Sequence, residues 1–324
     1  MHIVIGPNNF EMQQVIPELQ SRLRTRHPDI TFTTCDDRDC VDREIAAADA
    51  YCGWMTRETF LAAKKLRWIQ SLSTGVDGFL RIPELKDSSI ILTNARGVHA
   101  VCLAEQTFAM IFSFTRGMKA FLEHQQRHEW AGRKQRDTLV ELMGSTLGIV
   151  GYGTVGHAIA ERARAFGMRI LAVDVYPAVK PDQGQQVFGI DGLSTVLKES
   201  DYVVVTVPLT PETRRMIGAE QLALMKPSAI LVGISRGGII DETALVDALV
   251  SGRLAAAALD VFETEPLPKD SPLWDIPNLI IVPHAAGGSQ YEAAAIRGIF
   301  RENIERFVRG DFPLRNEVSK QRGY

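Results

Sequence analysis

Cysteine is scarce in this chain: of 324 residues only four are cysteine, at positions 35, 40, 52 and 102. None forms a Cys-x-x-Cys pair and no histidine cluster accompanies them, so neither a zinc site nor a disulfide framework is expected. Free thiols are the reading they support. An excess of charge of either sign is also missing. The net charge of −3 provides no electrostatic case for nucleic acid or for a membrane surface. No apolar run approaches the roughly 20 residues needed to span a bilayer. The opening MHIVIGPNNF carries neither the basic nor the longer apolar segment of a secretory signal, so the expected compartment is the cytoplasm. Internal repeats and low-complexity tracts are absent too. What remains is an ordinary globular composition, 45% hydrophobic and 23% charged, long enough for two domains with separate cores.

Apolar strand-like runs alternate with helical patterns from the first residue, which argues for α/β layering around parallel sheets. In the first part His2–Ile5, Ile30–Thr33, Ala50–Gly53, Trp68–Leu72 and Ile90–Leu92 read as strands, with helices near Glu11–Arg24 and Thr56–Lys64. A long helical pattern runs from Ala100 to Gln126, followed by a polar stretch, Arg127 to Thr138. Later strands fall near Tyr202–Thr206, Ile230–Gly233, Ala256–Leu259 and Ile280–Val282, and a last helix runs from about Ser289 to Val308. The expected organisation is one domain built from both chain ends (1–99 and 288–324), with a second (100–287) inserted between them.

The most informative stretch is TLGIVGYGTVGHAIAERARAFGMRILAVD, residues 146–174. An apolar strand runs into Gly151, Gly153 and Gly156, a helix follows, and a second strand ends on Asp174. Gly151 permits a tight turn, Gly153 lets the backbone approach a pyrophosphate, and Gly156 lets helix pack closely on strand. The N–H groups and positive dipole end of the helix favour the phosphates. Asp174 can accept hydrogen bonds from both ribose hydroxyls and would repel a 2′-phosphate, which points to NAD rather than NADP.

Three later segments each offer one residue with chemistry, just past a strand end: Arg236 in ISRGGIIDE, Glu265 in DVFETEPLP and His284 in VPHAAGG. Singly, each has a dull explanation: a surface ion pair, a solvated turn, a structural histidine. Strand ends of an open α/β sheet border the cofactor crevice, so all three could converge on one site.

With STGVDGF (Ser73–Phe79), TNARGV (Thr93–Val98), AEQ (Ala104–Gln106), GYGTVG and VPLTPETRRMIG (Val207–Gly218), these segments resemble the D-isomer-specific 2-hydroxyacid dehydrogenase family. The resemblance covers nearly the whole chain. It implies two doubly wound parallel-sheet domains, a Rossmann NAD-binding domain inserted into a discontinuous flavodoxin-like substrate domain. It implies that Arg236 binds the substrate carboxylate and polarises the carbonyl, that Glu265 pairs with the histidine, and that His284 donates the proton. Hydride transfer from NADH to C2 of a 2-keto acid builds negative charge on the carbonyl oxygen. A protonated imidazole placed there is worth about 10²–10⁴ in rate, and a neighbouring carboxylate favours its charged form. Arg236 offers a planar cationic fork to carboxylate or carbonyl oxygens.

The resemblance makes Ser73, Thr74, Gly75 and Val76 a substrate-carboxylate loop acting through backbone N–H groups. It places Thr154 and Val155 at the pyrophosphate, Pro208 and Thr213 near the adenine side, and Tyr152, Val207, Ile234, Ser235 and Gly287 among the cofactor contacts. Asp260 resembles the acid that accepts from the nicotinamide amide, although strand-end capping explains it equally. Two departures stand out. Gly233 replaces a usual asparagine, and Asp174-Val175-Tyr176-Pro177 replaces the arginines that similar NADP-linked reductases carry. A packing role is expected for Trp130, with a reach into a partner subunit as the minority reading. A homodimer built on the helix from Ala100 is implied. The expected substrate is a small 2-keto acid of the glyoxylate or hydroxypyruvate type, with no metal. The alternatives are a phosphoglycerate-type dehydrogenase, for which Arg96 is a possible phosphate partner, and an NAD(H)-sensing corepressor-like binding protein.

Overall fold

The computed structural model describes all residues except Asn8, Asn9, Arg26, Ala131 and 178–184. The chain divides into two compact units, Met1–His99 with Ser289–Tyr324, and Ala100–Gly288.

The first unit holds a five-stranded sheet of β1 (His2–Ile5), β2 (Thr31–Thr34), β3 (Ala50–Cys52), β4 (Trp68–Gln70) and β5 (Ile91–Thr93), in the order β2-β1-β3-β4-β5. Every pairing is parallel. Such sheets must be covered on both faces, which is why the inner strands read as unbroken apolar runs. Ile3, Ile5 and Trp68 pack on one side, with Phe300, Ile304 and Phe307 of the helix Glu292–Arg309. Val4, Tyr51 and Ile69 pack on the other, with Phe79 and Leu85. A buried amide, Asn303, bonds Gln70 Oε1 and the backbone of Arg315, so the chain end is tied to the strand that precedes Ser73.

In the second unit a seven-stranded sheet contains β6 (Thr146–Val150), β7 (Arg169–Val173), β8 (Gln185–Phe188), β9 (Tyr202–Val205), β10 (Ile230–Gly233), β11 (Ala256–Leu259) and β12 (Leu279–Ile281). The order is β12-β11-β10-β9-β6-β7-β8, again wholly parallel, with the first strand of the unit near the centre and a reversal of winding beside it. Both sheets are therefore doubly wound. Side chains alternate between two cores, as the period of two demands: Val203 and Val205 face one, Tyr202 and Val204 the other.

Three expectations need correction. The pattern from Ala100 to Gln126 is two helices, Ala100–Thr115 and Met118–Gln126, because Gly117 adopts φ +65° and breaks the backbone ladder. The pattern over Glu11–Arg24 is likewise split, into Phe10–Gln13 and Ile16–Arg24, with Pro17 in the first turn of the second. The third concerns thiols: Cys35 and Cys40 are joined in a disulfide with Cα atoms 5.3 Å apart. Cys35 follows β2 and Cys40 lies in the helix Arg38–Glu44, whose cap Asp37 accepts from the Cys40 N–H at 2.8 Å. That tight cap folds the second sulfur back over the first, a proximity that spacing alone does not reveal. Cys52 and Cys102 form no disulfide, as expected. Among the described residues no helix is long and apolar enough to cross a membrane, and no cluster of potential ligands could hold a metal ion.

Candidate active site

The residues singled out in the second unit lie past the carboxyl ends of its strands, on one edge of one sheet. Gly151–Gly156 follow β6, Asp174 follows β7, and Val207, Pro208 and Thr213 follow β9. Ile234, Ser235 and Arg236 follow β10, Asp260 and Glu265 follow β11, and His284 and Gly287 follow β12. In a parallel sheet this edge borders the crevice at the point where the winding reverses.

The glycine turn is explained by sterics. Gly151 has φ +101°, and a Cβ there would lie 2.9 Å from the backbone nitrogen of Val207. A Cβ on Gly156 would collide with the Gly151 carbonyl oxygen, so only glycine lets the helix Thr154–Ala165 sit this close to its strand. Gly153 differs from both. A Cβ there would meet nothing within 4 Å, and the residue is exposed at the helix start, where uncompensated N–H groups attract an anion. The space that forbids nothing in the protein is space a pyrophosphate can occupy. Asp174 Oδ2 accepts from the Tyr152 N–H at 2.6 Å and Oδ1 from the Tyr176 N–H at 2.9 Å, which fixes the carboxylate beside the turn. Tyr152 itself is buried against His157, its ring centroid 4.1 Å away, so it can offer a ligand only its backbone. Thr213 organises its loop: its hydroxyl donates to Pro208 O at 2.7 Å and accepts from the Thr210 N–H at 2.7 Å. The Gly287 carbonyl accepts from the Cys102 thiol at 3.1 Å.

Glu265 and His284 form a pair, with Oε2 2.6 Å from Nδ1. The other Glu265 oxygen accepts from the Phe262 N–H at 2.9 Å, so the carboxylate is held from both sides. A ring nitrogen facing a carboxylate carries its hydrogen, and Nε2 is left for chemistry on a ligand. His284 has φ +50°, a conformation that turns its side chain off the strand end. Asp260 holds that conformation. Its carbonyl accepts from the His284 N–H at 2.9 Å, and Oδ1 accepts from the N–H groups of Ala285 at 2.8 Å and Ala286 at 3.0 Å. Burial pushes the Asp260 carboxyl above the usual carboxylate range, opposed by those two amides and by His284. Of its two sequence readings, the capping one is therefore realised in the fold. Arg236 is half-buried, with Nη1 donating to Ser235 O at 2.7 Å. Gly237, next to it, is pressed on the Phe262 carbonyl so closely that no Cβ fits. The turn that carries Arg236 is thereby packed on the loop that carries Glu265.

A family model described as D-isomer specific 2-hydroxyacid dehydrogenase, NAD binding domain, matches residues 108–286. The chain belongs to this family. It is 38% identical over 272 residues to a glyoxylate reductase of Korarchaeum cryptofilum, covering 82% of this chain and 81% of that protein. To a D-3-phosphoglycerate dehydrogenase of Methanocaldococcus jannaschii it is 37% identical, covering 79% of this chain but only 48% of that longer protein. A solved structure of an NADPH-dependent glyoxylate/hydroxypyruvate reductase from Sinorhizobium meliloti, in complex with NADP and sulfate, superimposes with a TM-score of 0.82 at 26% identity. That match covers 100% of this chain and 99% of the other. The protein is accordingly a 2-hydroxyacid dehydrogenase, an oxidoreductase that interconverts 2-keto and 2-hydroxy acids with a nicotinamide cofactor.

Several features of this dehydrogenase were not foreseen. At Gly233 a Cβ would lie 2.9 Å from both Ile240 Cδ1 and Leu259 Cδ2, so apolar side chains already fill the place of the usual asparagine. Trp130 is 99% exposed, so the packing role expected for it is not made within the chain. In the first unit Ser73 to Val76 follow β4. The Ser73 carbonyl accepts from the Ala95 N–H at 3.1 Å, and the Thr74 carbonyl from Asn94 Nδ2 at 2.8 Å. Val76 is buried at 2% exposure and can serve a ligand only through its backbone. Asn94 lies within TNARGV, but nothing in its type announced that it would hold this loop.

Proposed function

We propose that this dehydrogenase reduces a small 2-keto acid of the glyoxylate or hydroxypyruvate type to the D-2-hydroxy acid, with NADH preferred over NADPH. The observation that carries the proposal is the Glu265–His284 pair at 2.6 Å, on the sheet edge that also bears the glycine turn and Arg236. A bound nicotinamide supplies the hydride. His284, protonated and oriented through Nδ1 by Glu265, gives its Nε2 proton to the carbonyl oxygen as negative charge develops there. Arg236 remains cationic throughout and binds the carboxylate and carbonyl oxygens of the acid. In the oxidative direction neutral His284 takes the hydroxyl proton. The Ser73–Val76 loop is proposed to take the substrate carboxylate through its N–H groups.

The cofactor preference rests on Asp174. Its carboxylate is anchored by two N–H groups where an adenosine ribose would lie, and a 2′-phosphate there would meet a fixed negative charge. The Sinorhizobium relative is named as NADPH-dependent, so the ratio of NADH to NADPH turnover decides this part of the proposal. A homodimer is proposed on the helices Ala100–Thr115 and Met118–Gln126, where Val101, Met118 and Leu122 stand about half exposed, together with Trp130. The compartment we propose is the cytoplasm, in which the Cys35–Cys40 bond would be reduced for much of the time.

Steady-state kinetics with NADH and NADPH across a panel of 2-keto acids test the proposal. Arg236→Ala is expected to lower kcat/KM by about 10²–10³, the worth of a lost charged donor at a developing oxyanion. Near-normal turnover in that variant removes Arg236 from the role. Preference for 3-phosphohydroxypyruvate would instead favour the phosphoglycerate-type reading, for which the exposed Arg96 is available. Tight NADH binding with no turnover on any keto acid would favour a sensing protein.

A further inference from the structure

The Ser73–Val76 loop is backed by another imidazole–carboxylate pair. His99 Nε2 lies 2.8 Å from Glu292 Oε1, and Nδ1 lies 2.9 Å from the Thr74 hydroxyl. The His99 side chain is only 17% exposed. Glu292 opens the 18-residue helix Glu292–Arg309, where the positive end of the helix favours an acid. The ring nitrogen that faces the carboxylate carries a hydrogen. In the neutral ring Nδ1 is then an acceptor, and the Thr74 hydroxyl donates to it. Thr74 is thus held at three points: its hydroxyl lies 2.9 Å from His99 Nδ1 and, at a longer 3.3 Å, from the Ala95 carbonyl oxygen, and its carbonyl accepts from Asn94 Nδ2. Because the N–H of a trans peptide points opposite to the preceding carbonyl, the bonds to the Ser73 and Thr74 carbonyls turn the Thr74 and Gly75 N–H groups away from Ala95 and Asn94.

We infer that His99 is a positioning residue for substrate affinity: with Glu292 it fixes Thr74, and so fixes the direction in which the loop's N–H groups meet a carboxylate. The inference rests on the carboxylate-loop reading proposed above. His99 itself touches no reacting atom, so its loss weakens binding of the acid and spares the hydride step and the nucleotide.

His99→Phe keeps a flat ring and removes both nitrogens. It is expected to raise KM for the 2-keto acid about tenfold, the worth of roughly one fixed hydrogen bond, with kcat and KM for NADH within about twofold. His99→Asn puts a side-chain oxygen near the place of Nδ1 and is expected to recover most of the affinity. Thr74→Val, which deletes the hydroxyl and with it the bonds to His99 and to the Ala95 carbonyl, must raise KM at least as far and decides the matter if the phenylalanine variant does not fold. Gly75→Pro, which deletes a loop N–H, separates the two ideas. A raised KM in Gly75→Pro with an unchanged KM in His99→Phe overturns the role of His99 alone. An unchanged KM in both overturns the carboxylate loop and this inference with it. Equal losses of kcat and melting temperature in the phenylalanine and asparagine variants would reduce His99 to a structural residue and refute the inference.

Discussion

Replacing Glu265 by glutamine isolates what the carboxylate does for His284. The side chain keeps its length, and its amide oxygen can still accept from the Phe262 N–H, now bonded at 2.9 Å. The amide NH₂ group must then face Nδ1, where an oxygen lies 2.6 Å away in the native protein. Two donors cannot share a hydrogen bond. Neutral His284 escapes by moving its hydrogen to Nε2, but the imidazolium has hydrogens on both nitrogens and cannot escape. Glutamine therefore penalises the one form that donates a proton in reduction. It also puts the neutral ring in the tautomer that cannot accept a proton at Nε2 in oxidation. A charge-assisted hydrogen bond contributes about 1.5–3 kcal/mol. The two side chains are 34% and 47% exposed, so solvent screening favours the lower part of that range. A loss of about 10- to 30-fold in kcat follows, in both directions, from roughly 1.4 kcal/mol per decade. The assay is steady-state reduction with NADH and oxidation with NAD, alongside NADH binding and a melting curve. Binding and stability are expected to stay near wild type, because the loop-holding bond survives. Full activity in Glu265→Gln would refute the reasoning. So would a loss traced to weaker NADH binding, since the pair would then be holding the nucleotide rather than a proton.

Three further outcomes follow from the same geometry. Asp174→Asn retains an acceptor for the Tyr152 or Tyr176 N–H but removes the charge, so the NADH over NADPH preference in kcat/KM should fall about tenfold or more; an unchanged ratio would acquit the acid. The glycines should separate: Gly156→Ala drives a Cβ into a backbone carbonyl and should cost about 1–3 kcal/mol, or roughly 2–12 °C in melting temperature. Gly153→Ala meets no protein atom, so it should leave stability alone and weaken NADH binding; equal melting shifts in the two variants would contradict this. Asp260→Ala leaves the buried Ala286 N–H and the part-buried Ala285 N–H without their acceptor and should destabilise the protein by about 1–3 kcal/mol. The folded protein binds the Asp260 proton more tightly than the unfolded chain does, so its contribution declines as pH rises from the ordinary carboxylate value toward the raised folded one. Against Asp260→Asn, which cannot titrate, wild type should therefore lose relative stability across that window, and parallel melting curves would show the carboxyl unshifted.

The elements legible in the sequence were those whose cause is local. β6, the glycine turn, the helix Thr154–Ala165 and β7 are specified by a contiguous apolar pattern and by sterics within one loop, and each lies where the pattern puts it. The break at Gly117 was missed because the apolar spacing continues across it, and nothing in periodicity registers one residue at φ +65°. The strand β8, at the sheet edge after a polar stretch, has too little apolar character to announce itself. The Cys35–Cys40 pairing depends on the backbone path through a capped helix start, which spacing does not encode.

At the candidate site the division falls between side chains proposed to do chemistry and groups that hold them. Arg236, Glu265 and His284 could be named because proton and hydride chemistry demands those residue types, and strand ends are where an open sheet presents them. The Asp260 capping of residues 285 and 286, the Phe262 N–H on Glu265 and the clasp of Asn94 and His99 on Thr74 are backbone-directed bonds. No residue type is unique to such work, since any acid, amide or imidazole in reach will do it. Arg236 shows how the two levels join. Its identity fits the charge it is proposed to meet, but its place depends on Gly237 lying against the Phe262 carbonyl, a contact between backbones 25 residues apart in the chain, from 237 to 262. A Cβ at 237 would part the two loops while leaving every chemically active side chain in the sequence unchanged. In this dehydrogenase the places where side chains are missing therefore shape the candidate site as much as the three side chains proposed to react.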